Sequence, residues 1–334
     1  MPSPYRIIGI ESSPYAVKVR AAFRYRRLPH VWVARNPRLF DETKDLKPVL
    51  MPVVQFPDGA YRIDSTPILL DLETAHPNGR TLLPDAPDMA FLALLIEDMA
   101  DEFLTKSLFH YRFSHAADRR FAARWVIDDG APSLDAGVLA ERADAFVDRQ
   151  IARMPLVGCT PENGPVFERF FRDVLTIMED FVATDRFLFG GRPSIADFGI
   201  YGQLHTLAAD PTPAALIRAD APRTLYWIWR LADASGVEGA WLAPDAPTPA
   251  PVAAFLKLAG SVYLPFLAAN AAAVQAGARD VETEIYGRAY RQPAFGYQAK
   301  CLRALRERFA ALPPEAAARL RPLLEEADCL ARLV

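Results

Sequence analysis

Around Leu83-Pro84-Asp85 the hydrophobic patterning changes period, and this change constrains the fold more than any other feature of the chain. Upstream, short apolar runs alternate with helical patterns. YRIIGI (5–10) is rich in bulky and branched residues and reads as a strand. Ser12-Ser13-Pro14 then opens a helix with Ala16, Val19, Ala22 and Phe23 on one face. HVWVA (30–34) is a second strand, so the first crossover is parallel and right-handed. VVQF (53–56) and AYRI (60–63) flank Pro57-Asp58-Gly59 and form a hairpin signature. Asp64-Ser65-Thr66-Pro67 starts a closing helix over ILLDLETAH.

From Met89 onward the pattern predicts no strand. Helices are expected over 89–113, 116–127, 134–153, 163–183, 195–208 and 221–234. A proline-rich hinge, PDAPTPAP (244–251), precedes a last helical section that runs to Val334. The expected organisation is a small α/β domain over 1–84, an all-helical domain over 89–243 and a helical extension over 252–334.

Several function classes are disfavoured at this level. A formal net charge of −3 gives no general field for nucleic acid. Cys159, Cys301 and Cys329 lie far apart without CxxC spacing, which predicts neither a disulfide framework nor a thiolate metal site and suits a reducing cytoplasm. The start, MPSPYRIIGIESSPY, lacks a basic segment followed by a long apolar run, so no secretory signal is expected. The charge-free stretch between Lys257 and Arg279 is long, but Pro265, Asn270 and Gln275 interrupt it, and a buried helix pair is expected rather than a membrane span.

Three short segments carry the candidate chemistry. Pro14 suits the first helical position, which makes Ser13 the natural N-cap, and a helix N-terminus favours an anion. Met51-Pro52 precedes an apolar strand; a cis bond there would turn the Met51 backbone outward to meet an extended ligand, whereas a trans bond would make an ordinary strand entrance. Asp64-Ser65 joins a carboxylate to a hydroxyl at a helix start, suited either to gripping an amino acid's charged ends or to plain capping.

Taken in order, Ser13-Pro14-Tyr15-Ala16, Met51-Pro52-Val53-Val54 and Asp64-Ser65-Thr66-Pro67-Ile68 resemble the thioredoxin-like domain of the glutathione transferase superfamily. Arg192-Pro193-Ser194-Ile195-Ala196-Asp197 resembles that family's capping box in the helical domain. The resemblance spans roughly residues 5–235 and leaves the extension outside. It implies an α/β thioredoxin-like N-terminal domain, an all-α C-terminal domain of glutathione transferase type, and extra C-terminal helices. It further implies glutathione as cosubstrate, a small hydrophobic electrophile and a homodimer, while the charge balance and patterning above predict no nucleic-acid or membrane partner and no metal is expected.

Residue by residue, the resemblance places Met51, before Pro52, against the cysteinyl part of glutathione, and Asp64 and Ser65 at its γ-glutamyl end. The catalytic position falls on Ser13 in one alignment and on Ser12 in the other; Ser13 is preferred, and Ser12 takes the role if Ser13 spends its oxygen on capping. The family's usual Gly-Lys pair before the proline dipeptide is replaced by Val49 and Leu50.

Serine rather than cysteine excludes mixed-disulfide chemistry and leaves thiolate stabilisation. A thiol of pKa ~8.5 lowered by ~2 units needs ~2.7 kcal/mol of selective anion stabilisation. One hydrogen bond to a charged group supplies roughly 1.5–3 kcal/mol, and a helix N-terminus adds about 0.3–1 kcal/mol. The expected function is therefore a glutathione transferase, with a non-catalytic scaffold or a glutathione-dependent isomerase or lyase as alternatives. Glu97, Asp98, Asp101, Glu102 and Lys106 read as a charged helix face with i,i+4 pairs such as Glu102–Lys106. The aromatic and arginine string from Tyr286 to Tyr297 reads as packing against the helical domain.

Overall fold

The computed structural model describes residues 3–334 except 35, 37, 49, 78 and 132; the side chains at 38 and 40 also lie outside the description. Chain order begins β1 (Tyr5–Gly9), α1 (Pro14–Tyr25), β2 (His30–Ala34), α2 (Arg38–Thr43), β3 (Val53–Gln55), β4 (Tyr61–Ile63) and α3 (Ser65–Ala75). The four strands form one sheet in the order β2-β1-β3-β4. β1 and β2 are parallel, Ile7 opposite Trp32, while β1–β3 and β3–β4 are antiparallel. Alternating contacts follow from the pleat: Ile7 and Val54 are fully buried beneath α1 and α3, and Ile8 and Val53 join a second small cluster with Leu39 on the opposite face.

Helices follow almost without interruption: α4 (Pro87–Met99), α5 (Thr105–Ser114), α6 (Ala116–Gly130), α7 (Ala136–Arg153), α8 (Gly164–Thr184), α9 (Ile195–Leu207), α10 (Pro211–Asp220) and α11 (Pro222–Leu231). A π-helical stretch, Ala100–Leu104, joins α4 to α5 and makes the expected 89–113 helix one run. The thioredoxin-like domain followed by the all-helical domain is therefore the fold. α9 is its central helix. Ser194 caps it, its side chain accepting from the Asp197 backbone N–H while the Asp197 carboxylate accepts from the Ser194 backbone N–H, a reciprocal capping box. Two glycines let α9 press on its neighbours. A Cβ at Gly202 would come within 2.5 Å of the Pro14 carbonyl oxygen, and one at Gly199 within 3.0 Å of the Glu97 side chain.

The extension contains α12 (Ala250–Leu258), α13 (Leu264–Gln275), β5 (Asp280–Ile285), β6 (Arg288–Pro293), α14 (Gly296–Ala310), α15 (Pro314–Glu326) and α16 (Leu330–Leu333). Two expectations are corrected here. α12, a π-helical stretch Ala259–Tyr263 and α13 form a single run, not a helix pair. This run, Ala250–Gln275, is the one helix among the described residues long and apolar enough to cross a membrane, and 61% of its most apolar window is buried inside the protein. Second, β5 and β6 form an antiparallel hairpin where no strand was expected. The Tyr286 and Gly287 turn has positive φ at both residues (56° and 71°), as a two-residue primed turn demands. The last helices pack into the same hydrophobic core as the first: Leu305, Leu324 and Cys329 share a cluster with Phe23 and Phe103.

Candidate active site

The ends of α1 and α3 face α4 and α5 across a cavity of about 510 Å³. Tyr15 comes from α1, Pro48, Leu50 and Met51 from the loop before β3, and Asp64, Ser65 and Thr66 from the start of α3. The α4–α5 run supplies Asp98, Asp101, Glu102, Thr105, Lys106 and Phe109. The extension closes the far side with Gln292, Phe295, Tyr297 and Gln298. Of the residues predicted from sequence, Met51, Asp64 and Ser65 thus meet at one place, and the Met51–Pro52 bond is cis. Val49, one of the two departures from the family pattern, lies outside the described residues, while Leu50 is on the cavity wall.

Asp64 adopts φ 74°, a conformation that a non-glycine residue holds only where its surroundings over-determine it. Its side chain makes no capping bond to α3; it accepts instead from the Tyr297 hydroxyl at 2.9 Å. Ser65 is 3% exposed, and its hydroxyl donates to Asp101 Oδ2 at 3.2 Å while accepting from Lys18 Nζ at 3.4 Å. Thr66 Oγ1 donates to Glu97 Oε1 at 2.5 Å. The start of α3 is therefore anchored to α4 through buried carboxylates.

Ser12 and Ser13 lie elsewhere. Neither belongs to the cavity wall. Ser13 Oγ accepts from the Ala16 N–H at 3.3 Å, so it caps α1 as its position before Pro14 dictates. Ser12 is 3% exposed, its Oγ has no hydrogen-bond partner among the described residues, and its carbonyl accepts from Arg112 Nη1 at 3.0 Å. The hydroxyl that α1 does bring to the wall is that of Tyr15, which donates to the Asp101 carbonyl at 2.9 Å. Burial, with Glu102 and Asp101 nearby, raises the Tyr15 pKa and keeps the phenol protonated.

The reading of 97–106 as a charged helix face with i,i+4 pairs such as Glu102–Lys106 is corrected. Glu97, Asp101 and Lys106 are 1%, 5% and 3% exposed. Lys18 Nζ donates to Glu97 Oε1 at 2.5 Å and to Asp101 Oδ2 at 2.6 Å. Lys106 does not pair with Glu102; it donates to the Val157 carbonyl and to Gln292 Oε1, both at 2.8 Å. A helix face was expected because i,i+4 spacing is all the local sequence displays, whereas α1, α9 and the extension cover that face.

Burial raises Asp98 to about 7 and Glu102 to about 8, their neighbouring carboxylates adding to the effect on Glu102, and raises Asp101 to about 7 against the pull of Lys18. Burial lowers His205 to about 4 and Lys106 to about 8. The raised carboxyls keep protons in the folded state that the unfolded chain has released, so they withdraw stability as pH climbs toward 8. The depressed histidine opposes this only below its ordinary pKa, roughly 6.5, and Lys106 only above 8. Thermal melts between pH ~6.5 and ~8 should therefore show stability falling with pH, by on the order of 1–2 kcal/mol once cavity water is allowed to screen the part-exposed carboxyls. Glu102→Gln should flatten that slope; a rising or level slope in the parent protein would contradict these assignments.

A thioredoxin-like sheet, a capped central α9 and a cavity at the α1–α3 ends define a protein of the glutathione-transferase fold. Residues 12–75 match the family model for the glutathione S-transferase N-terminal domain, and residues 165–230 match that for the C-terminal domain. The chain belongs to the glutathione S-transferase superfamily. No curated protein matches it. Solved structures similar to it include glutathione transferase GSTFuA3 from Phanerochaete chrysosporium, at 16% identity, covering 71% of this chain and 100% of that one, with a TM-score of 0.50. Another is the beta-etherase LigF from Sphingobium sp. strain SYK-6, at 17% identity over 69% of this chain and 95% of that one, TM-score 0.49. A third is a glutathione S-transferase from Methylobacterium radiotolerans JCM 2831, solved with glutathione sulfonate, at 21% identity over 73% of this chain and 100% of that one, TM-score 0.42. At 16% identity and a TM-score of 0.50, the likeness to GSTFuA3 is one of fold.

Proposed function

We propose that the chain binds glutathione in the α1–α3 cavity and transfers it to a small electrophile, acting in the cytoplasm as a homodimer. The observation that carries this reading is the convergence of Met51, Asp64 and Ser65 on one cavity in a chain matching both family models. Asp64 would take the γ-glutamyl ammonium, Ser65 and the N-terminus of α3 its carboxylate, and the backbone beside Pro52 the cysteinyl unit. Since Ser13 already spends its oxygen on the α1 cap, we assign the sulfur to Ser12, whose Oγ is unengaged but buried off the cavity wall, so the turn at residues 11–13 must shift to expose it when glutathione binds. The bond from Tyr297 to Asp64 supports the rival reading of a non-catalytic scaffold, in which the extension occupies the place of the peptide's amino end.

Calorimetric titration with glutathione separates the two. Binding at millimolar concentration is expected, with Asp64→Asn and Ser65→Ala each weakening it about tenfold, the loss of one charge-assisted hydrogen bond. Ser12→Ala should preserve binding while slowing conjugation of a chlorodinitrobenzene. Ser13→Ala should instead cost about 1 kcal/mol of stability through the lost cap. No heat of binding at millimolar glutathione would retire the transferase reading.

A further inference from the structure

Beyond Asp64 and Ser65, the charge on the cavity wall is one-sided. Asp98, Asp101 and Glu102 line it, and the basic side chain among the wall residues is Lys106. That ammonium is already engaged by the Val157 carbonyl and Gln292, and lies 5.1 Å from the Phe266 ring centroid. Lys18 stands behind the wall and is shared between Glu97 and Asp101 Oδ2. Among the described residues Asp98 Oδ2 accepts only from a neutral donor, the Tyr263 hydroxyl, at 2.6 Å. Asp101 Oδ1 is buried with no hydrogen-bond partner among the described residues, in a side chain 5% exposed that contributes to the wall. An unpartnered carboxylate oxygen in such a place calls for a donor that the protein does not supply.

Glutathione does not supply it either. On the reading above, its one ammonium goes to Asp64, and its carboxylates and sulfur carry negative charge, which acidic neighbours repel. The rings of Phe109, Phe295 and Tyr297 stand on the same wall and provide the apolar and π surface that suits an organic cation.

We infer that the cavity wall carrying Asp101, Glu102, Phe109 and Phe295 holds an organic ammonium ion, so that the cosubstrate is a small apolar molecule carrying a basic nitrogen. This rests on the proposed function for the word cosubstrate, but the cation site itself does not. Burial, with like-charged neighbours adding to it at Glu102, raises these carboxyl pKa values, and a bound cation would lower them.

Benzylammonium, benzyl alcohol and benzoate share a ring and differ in charge, and each can be titrated calorimetrically into the full chain at about pH 8, where the raised Asp101 carboxyl is ionised and Glu102 about half so. Benzylammonium should bind about tenfold or more tighter than benzyl alcohol, the least that a charge-assisted hydrogen bond contributes, with benzoate weakest. Glu102→Gln, nearly isosteric, should cut the preference to less than about threefold, its folding checked by circular dichroism. Equal or tighter binding of the alcohol or benzoate, no binding of benzylammonium at millimolar concentration, or an undiminished preference in both Glu102→Gln and Asp101→Asn would overturn the inference. Glutathione titrated separately keeps the two claims apart. Benzylammonium binding without glutathione binding leaves the cation site and removes the transferase, and the reverse result removes the cation site alone.

Discussion

Lys18→Met should lose about 3–5 kcal/mol of folding stability, the range expected when one partner of a buried ion cluster is removed. Lys18 is 1% exposed on α1 and holds Glu97 Oε1 at 2.5 Å and Asp101 Oδ2 at 2.6 Å, both on the α4–α5 run. Burial by itself would depress the lysine pKa, but Asp101 and Glu97 together outweigh it and raise the value, so the ammonium stays charged. Methionine fills similar volume and leaves two carboxylates facing each other without a counter-ion. Since Ser65 Oγ also touches this cluster, the start of α3 should loosen and glutathione affinity should fall with stability. Urea melts of the single variant and of Lys18→Met combined with Glu97→Gln and Asp101→Asn decide the matter. The triple variant should recover most of the loss, because neutral groups carry no comparable desolvation cost. A single-variant loss under about 1 kcal/mol would mean that the cluster is not charged as described.

What the sequence disclosed and what it hid follow one physical rule. The β1-α1-β2 crossover, the β3–β4 hairpin, the Ser13 cap and the Ser194–Asp197 box are specified within a few residues of each other, so residue spacing alone reveals them. The β5–β6 hairpin is just as local, in the alternation of VETEI and the glycine after Tyr286, but the strong helical patterns on either side mask it. The rest of the site joins residues far apart. Lys18 meets Asp101 across 83 positions and Tyr297 meets Asp64 across 233, and no periodicity encodes such pairings. Glu97 to Lys106 shows the consequence. Charged residues at helical spacing look like a solvated face until another element covers them, and only the returning extension and α1 reveal that this face is a buried cavity wall.

Arg112→Met is the second large effect, and it tests how the N-terminus of α1 is held. From α5, Arg112 donates Nε to Asp210 Oδ2 at 2.7 Å, Nη2 to Asp210 Oδ1 at 3.3 Å and Nη1 to the Ser12 carbonyl at 3.0 Å. Asp210 is fully buried. Burial raises its pKa while Arg112 opposes the rise, so without the guanidinium the carboxyl must take up a proton or remain as an unpaired charge. Either course should cost about 3–5 kcal/mol. Arg112→Lys keeps the charge but cannot span both partners with a planar fork. It should recover part of the stability while leaving the Ser12 carbonyl unbound, so turnover should fall more than glutathione affinity if Ser12 addresses the sulfur. If instead Arg112→Lys matched the parent in turnover, the guanidinium would be a purely structural clamp between α5 and α10, and the assignment of the sulfur to Ser12 would lose its support.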